Sequence, residues 1–400
     1  MNGKHSLGDQ DTGEAEADFE DLGFSTRTIH DPFPSKFVGS IPGTSALSAC
    51  GRAIKVGFDG PDGDLSATTQ LEEKLARLEG AQAGLGLSSG LTAFRTFVRS
   101  LLSAGDEMIV HRPVCTDTAY LMWEIVSAVG AKLVATDLSD EKAINHSVTA
   151  RTRFVYLDTP TNPLNQVLDV ARISDRAHTH GLKVAVDSTL ATPVLQRPLE
   201  HGADIVLHSL SKYINGHGDT VGGVLLGEAR VIRQLREESL RHPHETAISP
   251  HASFLILRGL NTLALRMDQH CSAAHALALT LEAHPSVAWV RYPLLRSHPD
   301  YETARRQMTG GGGMLAFGLH RGADAAAAMI KRLRLITPGG NVAELGSFIC
   351  GSSRLTTTRH LPLAERELCD ILGEGVIRCS AGLEDAEDLV EDLLQALDFE

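Results

Sequence analysis

The sequence predicts an α/β protein built on a mostly parallel sheet, followed by a smaller α+β unit. Three observations predict it. Beyond Gly80, short apolar runs alternate with amphipathic stretches, the rhythm that crossover connections in a parallel sheet produce. Two successive runs end in reactive residues, Asp187 and then Ser209-Leu210-Ser211-Lys212, at the strand edge where such sheets bind ligands. From about Pro250 onward the patterns lengthen into helices, and Gly310-Gly311-Gly312-Gly313 precedes Met314-Leu315-Ala316-Phe317.

In chain order, Met1 to about Asp21 is polar and acidic and reads as a flexible tail. Gly23 to Asp64, rich in Gly, Pro and Ser, reads as an arm rather than a core segment. Regular structure is expected from Ser66, where Leu71, Leu75 and Leu78 share one helical face and Gly80 supplies a stop. A short apolar strand ends at Ser88-Ser89-Gly90-Leu91, which opens the next helix. Further strands are expected at Glu107 to His111, Lys132 to Thr136, Phe154 to Leu157, Lys183 to Val186, Ile205 to His208 and Gly223 to Leu226, with an amphipathic helix over Ala171 to His180. The resulting organisation is a tail and arm over 1–64, a large domain over 65–250 and a small C-terminal domain over 251–400. The glycine run is expected to be a bend beside a strand.

Composition narrows the class. Four hundred residues with 42% hydrophobic content suit a soluble chain with a large core. The longest apolar stretches are too short to span a bilayer, and the N-terminus lacks a signal-peptide layout, so a cytoplasmic location is expected. A formal charge of -13 argues against nucleic acid or an anionic membrane as partner. Six cysteines without a CxxC pair suit reduced thiols, and eighteen histidines without HExxH spacing give no metal site.

Lys212 follows a buried-type strand and lies in a glycine-rich turn. An ammonium held there is costly to keep charged, so its amine becomes available for Schiff-base chemistry. Asp187, on the preceding strand's end, is the acid that a pyridoxal phosphate ring nitrogen requires. Taken alone, each residue has a plainer reading: Lys212 as a surface lysine, Asp187 and Ser88 as helix caps, Arg378 as a rim ion pair. Together they favour an enzyme.

The block Asp187…Ser209-x-Ser211-Lys212-Tyr213-x-x-Gly216-His217 resembles that of the Cys/Met-metabolism family of pyridoxal-phosphate enzymes, and the likeness runs from about Leu65 to Leu397. The resemblance implies the aspartate-aminotransferase-like fold (PLP-dependent transferase fold type I) and a homotetramer of dimers. It also implies an amino-acid substrate and pyridoxal 5'-phosphate as cofactor. It assigns Lys212 to the Schiff base, Asp187 to the ring nitrogen with Thr189 beside it, and Asn162 to the ring oxygen. Ser89, Gly90, Leu91, Ser209 and Ser211 are assigned to the phosphate, and Arg378 to the substrate carboxylate.

Three departures from the family accompany the match. Gly60-Pro61-Asp62 stands where many members have Tyr-Ser-Arg, leaving Arg52 or Lys55 as possible phosphate partners. Thr116 stands where a ring-stacking tyrosine is usual, with Tyr120 one turn on and His111 at the strand end as alternative covers. Glu344 brings a carboxylate to a usually neutral position near the substrate. A threonine hydroxyl is a weak acid, so a leaving group that needs no protonation is expected, a halide, acyl or phosphate group at Cγ. The expected activity is therefore a γ-elimination lyase on such a substrate, with Lys212, Tyr120 and Thr116 as catalytic candidates. The alternatives are a γ-replacement synthase or a cystathionine or methionine γ-lyase, and, from another class, a non-catalytic homologue. A nicotinamide dehydrogenase fits poorly, since Gly84-Leu85-Gly86-Leu87-Ser88-Ser89 lacks its last glycine.

Overall fold

A computed structural model of the chain describes residues 66–112, 116–351 and 375–398. The proposed arm with Arg52, Lys55 and Gly60-Pro61-Asp62 lies outside them, as does Cys115. The first helix, α1 (Ala67–Glu79), starts where Ser66 accepts the Thr69 N–H on its hydroxyl. It stops at Gly80, whose φ of 75° lets its N–H turn back to the carbonyls of Ala76 and Arg77. Leu71, Leu75 and Leu78 are fully buried, as their spacing requires.

Seven strands form the large sheet: β1 (Ala83–Leu87), β2 (Glu107–His111), β3 (Lys132–Thr136), β4 (Thr152–Asp158), β5 (Lys183–Asp187), β6 (Ile205–Ser209) and β7 (Gly223–Gly227), ordered β1-β7-β6-β5-β4-β2-β3. The pairs from β3 through β2, β4 and β5 to β6 are parallel, while β7 runs antiparallel to both β6 and β1. Both faces are covered, so the strands read as nearly continuous apolar runs. Met108, Val110, Tyr156 and Ala185 pack on one side with Phe94 and Phe97 of α2 (Gly90–Leu101), whereas Ile109, Val155, Val184 and Val186 pack on the other with Ile173 of the helix Val170–Thr179. β4 is longer than the apolar run Phe154 to Leu157, because pairing with β5 continues through Asp158 opposite Asp187.

A second, five-stranded sheet has the order β10-β11-β12-β9-β8, from β8 (Val287–Arg291), β9 (Met314–Leu319), β10 (Thr337–Pro338), β11 (Phe348–Gly351) and β12 (Val376–Ser380). Leu277 and Leu281 of the helix Leu263–Ala283 and Leu389 and Leu393 of the helix Ala386–Leu397 close its core over Leu315, Phe317 and Ile377. The helix Pro250–Leu260 instead packs on α1 in the core of the large sheet. The glycine run lies in the bend leading into β9. Among the described residues, no helix is long and apolar enough to cross a membrane.

Candidate cofactor site

The C-terminal ends of β2, β4, β5 and β6 open onto one cavity of about 190 Å³. Its polar lining includes Asp158, Asn162, Asp187, Thr189, Ser209 and Lys212, and Val110, Met122, Leu190 and Val342 supply apolar wall. This is where a parallel sheet leaves its strand ends unpaired and its loops diverge. Asp187 accepts the Thr189 N–H at 2.9 Å and, more weakly, the Tyr156 hydroxyl at 3.5 Å. The Thr189 hydroxyl in turn accepts the Ser209 N–H at 2.8 Å, tying the end of β5 to the end of β6. Enclosure by protein raises Asp187 above the usual carboxylate range, against the Thr189 bonds that lower it.

Lys212 lies in the turn after β6, half-buried. Burial lowers its pKa, the nearby Glu344 carboxylate works the other way, and the Arg378 charge lowers it further. The turn is held from below by Arg266, only 6% exposed. Its guanidinium donates to the carbonyls of Tyr213 (2.6 Å), Ile214 (3.2 Å) and Gly259 (2.8 Å), and to the Thr262 hydroxyl at 3.0 Å. Gly216 closes the turn at a φ of 69°, and a Cβ there would fall 1.8 Å from Arg266 Nη1.

Beside the cavity, α2 begins at Gly90 with Ser89 as its cap, accepting the Thr92 N–H at 3.0 Å. The first N–H groups of a helix have no intrahelical acceptor and carry the positive end of its dipole. A Cβ on Gly90 would come 2.9 Å from the Ser209 Cβ, so the helix start and the end of β6 form one tight cradle. These features fit the cofactor that the sequence implies: an anion-binding helix end for a phosphate, a buried carboxyl for a ring nitrogen and an amine of lowered pKa for an aldehyde. Ser211, in contrast, is engaged with Gly222, accepting its N–H at 3.1 Å and donating to its carbonyl at 3.3 Å. Ser89, Gly90, Leu91 and Ser211 do not line the cavity itself.

Arg378 comes from β12 and, without lining the cavity itself, reaches Asn162 in its wall. It is 5% exposed and donates to Asn162 Oδ1 at 3.2 Å and to the Gly340 carbonyl at 2.6 Å. Because the amide oxygen is taken, Asn162 can present its NH2 as a donor. Glu344, half-buried, accepts from Asn341 Nδ2 at 3.2 Å and follows Ala343, whose φ is 62°. Tyr120 is half-buried on the helix Thr116–Ala128, with its ring 6.3 Å from that of Trp123, and is not among the cavity-lining residues. The Thr116 side chain lies outside what the structure describes. His111 does line the cavity, but both ring nitrogens are engaged: Nδ1 accepts the Leu138 N–H at 3.1 Å, so Nε2 carries the proton and donates to Gln166 at 2.9 Å.

Two contributors escaped the sequence reading. Asp158 lines the cavity beside Asp187, and its signal was present: an apolar run ending in Asp, the same pattern that picked out Asp187. Arg266 left no comparable signal, since its role comes from a turn that closes on it 50 residues earlier in the chain, at Gly216.

The sequence matches the Cys/Met metabolism PLP-dependent enzyme family over residues 65–398. It is 35% identical over 388 residues to the L-methionine γ-lyase of Pseudomonas putida, covering 94% of this chain and 97% of that protein. It is 33% identical over 383 residues to the O-succinylhomoserine sulfhydrylase of Pseudomonas aeruginosa, covering 96% and 90%. Among solved structures, the cystathione γ-lyase of Micromonospora echinospora superposes with a TM-score of 0.83 at 33% identity, covering 95% of this chain and 100% of that one.

Proposed function

The chain belongs to the Cys/Met metabolism family of PLP-dependent enzymes, which perform γ-elimination or γ-replacement on amino acids, and we propose that it is a γ-lyase releasing a thiolate from a methionine-type thioether. The convergence of Lys212, Asp187 and the Arg378–Asn162 pair on one cavity carries the chemistry. Resemblance to L-methionine γ-lyases supports the thioether, which moves the reading away from the halide, acyl or phosphate leaving group expected from Thr116.

Bound pyridoxal phosphate supplies an electron sink for breaking the bond between Cα and its hydrogen. Lys212 would attach the cofactor through its amine, and the same amine is placed to move protons on one face of the site. Asp187, fixed by the Thr189 N–H, would hold the ring nitrogen, and the Asn162 amide would donate to the ring oxygen. Ser89, Gly90 and Leu91 at the start of α2, with Ser209, would hold the phosphate, while the Ser211 hydroxyl is engaged with Gly222. Arg378 takes the substrate carboxylate, for which a planar two-pronged donor is suited. Glu344 borders the substrate, and Thr116 and Tyr120 stand on the helix that supplies Met122 to the cavity wall. The protein works in the cytoplasm as a homotetramer.

A second reading is γ-replacement of an acyl group by a thiol, favoured by the resemblance to O-succinylhomoserine sulfhydrylases. Keto acid, the product of elimination, and the thiol-substituted amino acid, the product of replacement, are both measured with L-methionine, cystathionine, O-succinylhomoserine with and without added thiol, and a γ-chloro amino acid. The thioethers are expected to lead in kcat/KM by about tenfold or more, and Lys212→Ala to remove turnover and the absorbance band of the lysine-bound cofactor. A lead for the γ-chloro substrate, or for O-succinylhomoserine plus thiol, refutes the lyase reading.

A further inference from the structure

The floor of the cavity holds two carboxyls where the cofactor ring calls for one. β4 and β5 are parallel neighbours with Asp158 opposite Asp187, so the two side chains leave the sheet on the same face, and both line the cavity. Two like charges on adjacent strands in an enclosed site resist ionising together. Their hydrogen bonds decide which keeps the proton. Asp187 accepts the Thr189 N–H at 2.9 Å and the Tyr156 hydroxyl at 3.5 Å, while Asp158 accepts from the Asn162 N–H at 3.3 Å. The stronger set of donors favours the Asp187 carboxylate, and the proton falls to Asp158.

We propose that Asp158 is a second acid of the ring-nitrogen subsite: protonated, it leaves Asp187 as the single carboxylate facing the ring, and on ionising it tightens the hold on a cationic ring. The proposal rests on the assignment of this cavity to the cofactor ring. Enclosure and the neighbouring Asp187 charge push Asp158 up to about 7, so its ionisation falls in the working range. Tyr156 and His111, the titratable groups beside it on β4 and β2, do not compete with it. Tyr156, on its own strand, has its pKa pushed well above the ordinary value by burial and the two aspartates. His111, from β2, is neutral in the tautomer its two bonds fix, and burial lowers its pKa. Lys212, from the turn after β6, and Arg378, acting through Asn162, are common to every variant compared.

The test titrates full-length, cofactor-free protein with pyridoxal 5'-phosphate at pH values of about 6, 7 and 8, reading Kd from protein fluorescence. Asp158→Asn keeps the shape and neutrality of the protonated acid, and the ratio of its Kd to that of the unaltered protein cancels the cofactor's own titrations. The ratio is expected to stay within about threefold of one at the lowest pH and to reach about tenfold at the highest, as one added charge on a single titrating group allows. A ratio that does not change with pH, or failure of Asp158→Asn to bind at the lowest pH, overturns the proposal. Asp158→Ser, which also removes the charge, is measured alongside so that the outcome does not depend on the folding of one variant. Asp187→Asn separates the two readings: a raised Kd at every pH upholds the ring-nitrogen subsite whatever Asp158 does, and an unchanged Kd removes that subsite and the proposal with it.

Discussion

Replacing Arg266 by methionine removes the brace beneath the lysine turn while keeping most of the side-chain volume. The carbonyls of Tyr213, Ile214 and Gly259 and the Thr262 hydroxyl lose their donor together. Tyr213 and Ile214 are at most 1% exposed, so water cannot take its place. A bond from a charged donor is worth about 1.5–3 kcal/mol net, which for three carbonyls gives a gross loss of about 5–9 kcal/mol. Against this stands the cost of burying the guanidinium itself, which lowers its pKa to about 10 and vanishes with the substitution. The net expected loss is about 3–5 kcal/mol, the range for breaking a buried charged network. Urea denaturation of the cofactor-free protein, followed by far-ultraviolet circular dichroism, measures it. Arg266→Lys is expected to recover only part, because a single ammonium cannot span carbonyls from two segments. A loss under about 1 kcal/mol for the methionine variant, or full recovery by lysine, refutes the bracing argument.

Two other substitutions probe the frame around the site. Gly90→Ala places a methyl 2.9 Å from the Ser209 Cβ, so the helix start must shift; cofactor affinity by equilibrium dialysis is expected to fall about tenfold, with about 1–3 kcal/mol of overpacking strain, and unchanged affinity contradicts the cradle. Asp392 accepts the N–H groups of Arg334, Leu335 and Ile336 at 2.8, 2.9 and 2.8 Å, and these bonds hold its carboxyl below the usual range despite burial. Its folded pKa is therefore below its unfolded one, so its contribution is complete above the unfolded value and is lost as pH falls through the folded value. Asp392→Asn is expected to cost about 1.5–3 kcal/mol at neutral pH and to flatten the fall of stability on the acid side, measured by melts at several pH values. An acid limb as steep as that of the unaltered protein counts against this.

Much of the site was legible because strands report their own ends. An apolar run that stops at a charged residue marks the sheet edge, and Asp187 and Lys212 lie there. Gly90 was readable as a helix start for the same local reason. Arg378 sits within a fully buried strand, where only the residues around it in sequence betray that it is not a core error. What stayed hidden depends on tertiary partners. Asp158 could be seen at a strand end, but its place opposite Asp187 depends on the register of β4 and β5, which cannot be read from either strand alone. The bonds that fix the His111 ring come from Leu138 and Gln166, both distant in sequence, so its orientation in the cavity could not be read from the strand that carries it. Ser211 looked like a phosphate ligand, yet its hydroxyl is engaged by Gly222 across the turn.

The bond from Arg378 to Asn162 spans 216 residues of chain. Synthesis proceeds from the N-terminus, so Asn162, Asp187 and Lys212 emerge well before the strand that carries Arg378. A chain cut short before residue 376 would still contain the lysine turn, the acid and the phosphate helix, but the Asn162 amide would have no guanidinium to orient it. Anything that binds the native state alone stabilises it by mass action. With Asn162 in its proposed role at the ring oxygen, the cofactor would discriminate between finished and unfinished molecules, and its retention would check that the last strand of the small sheet has docked.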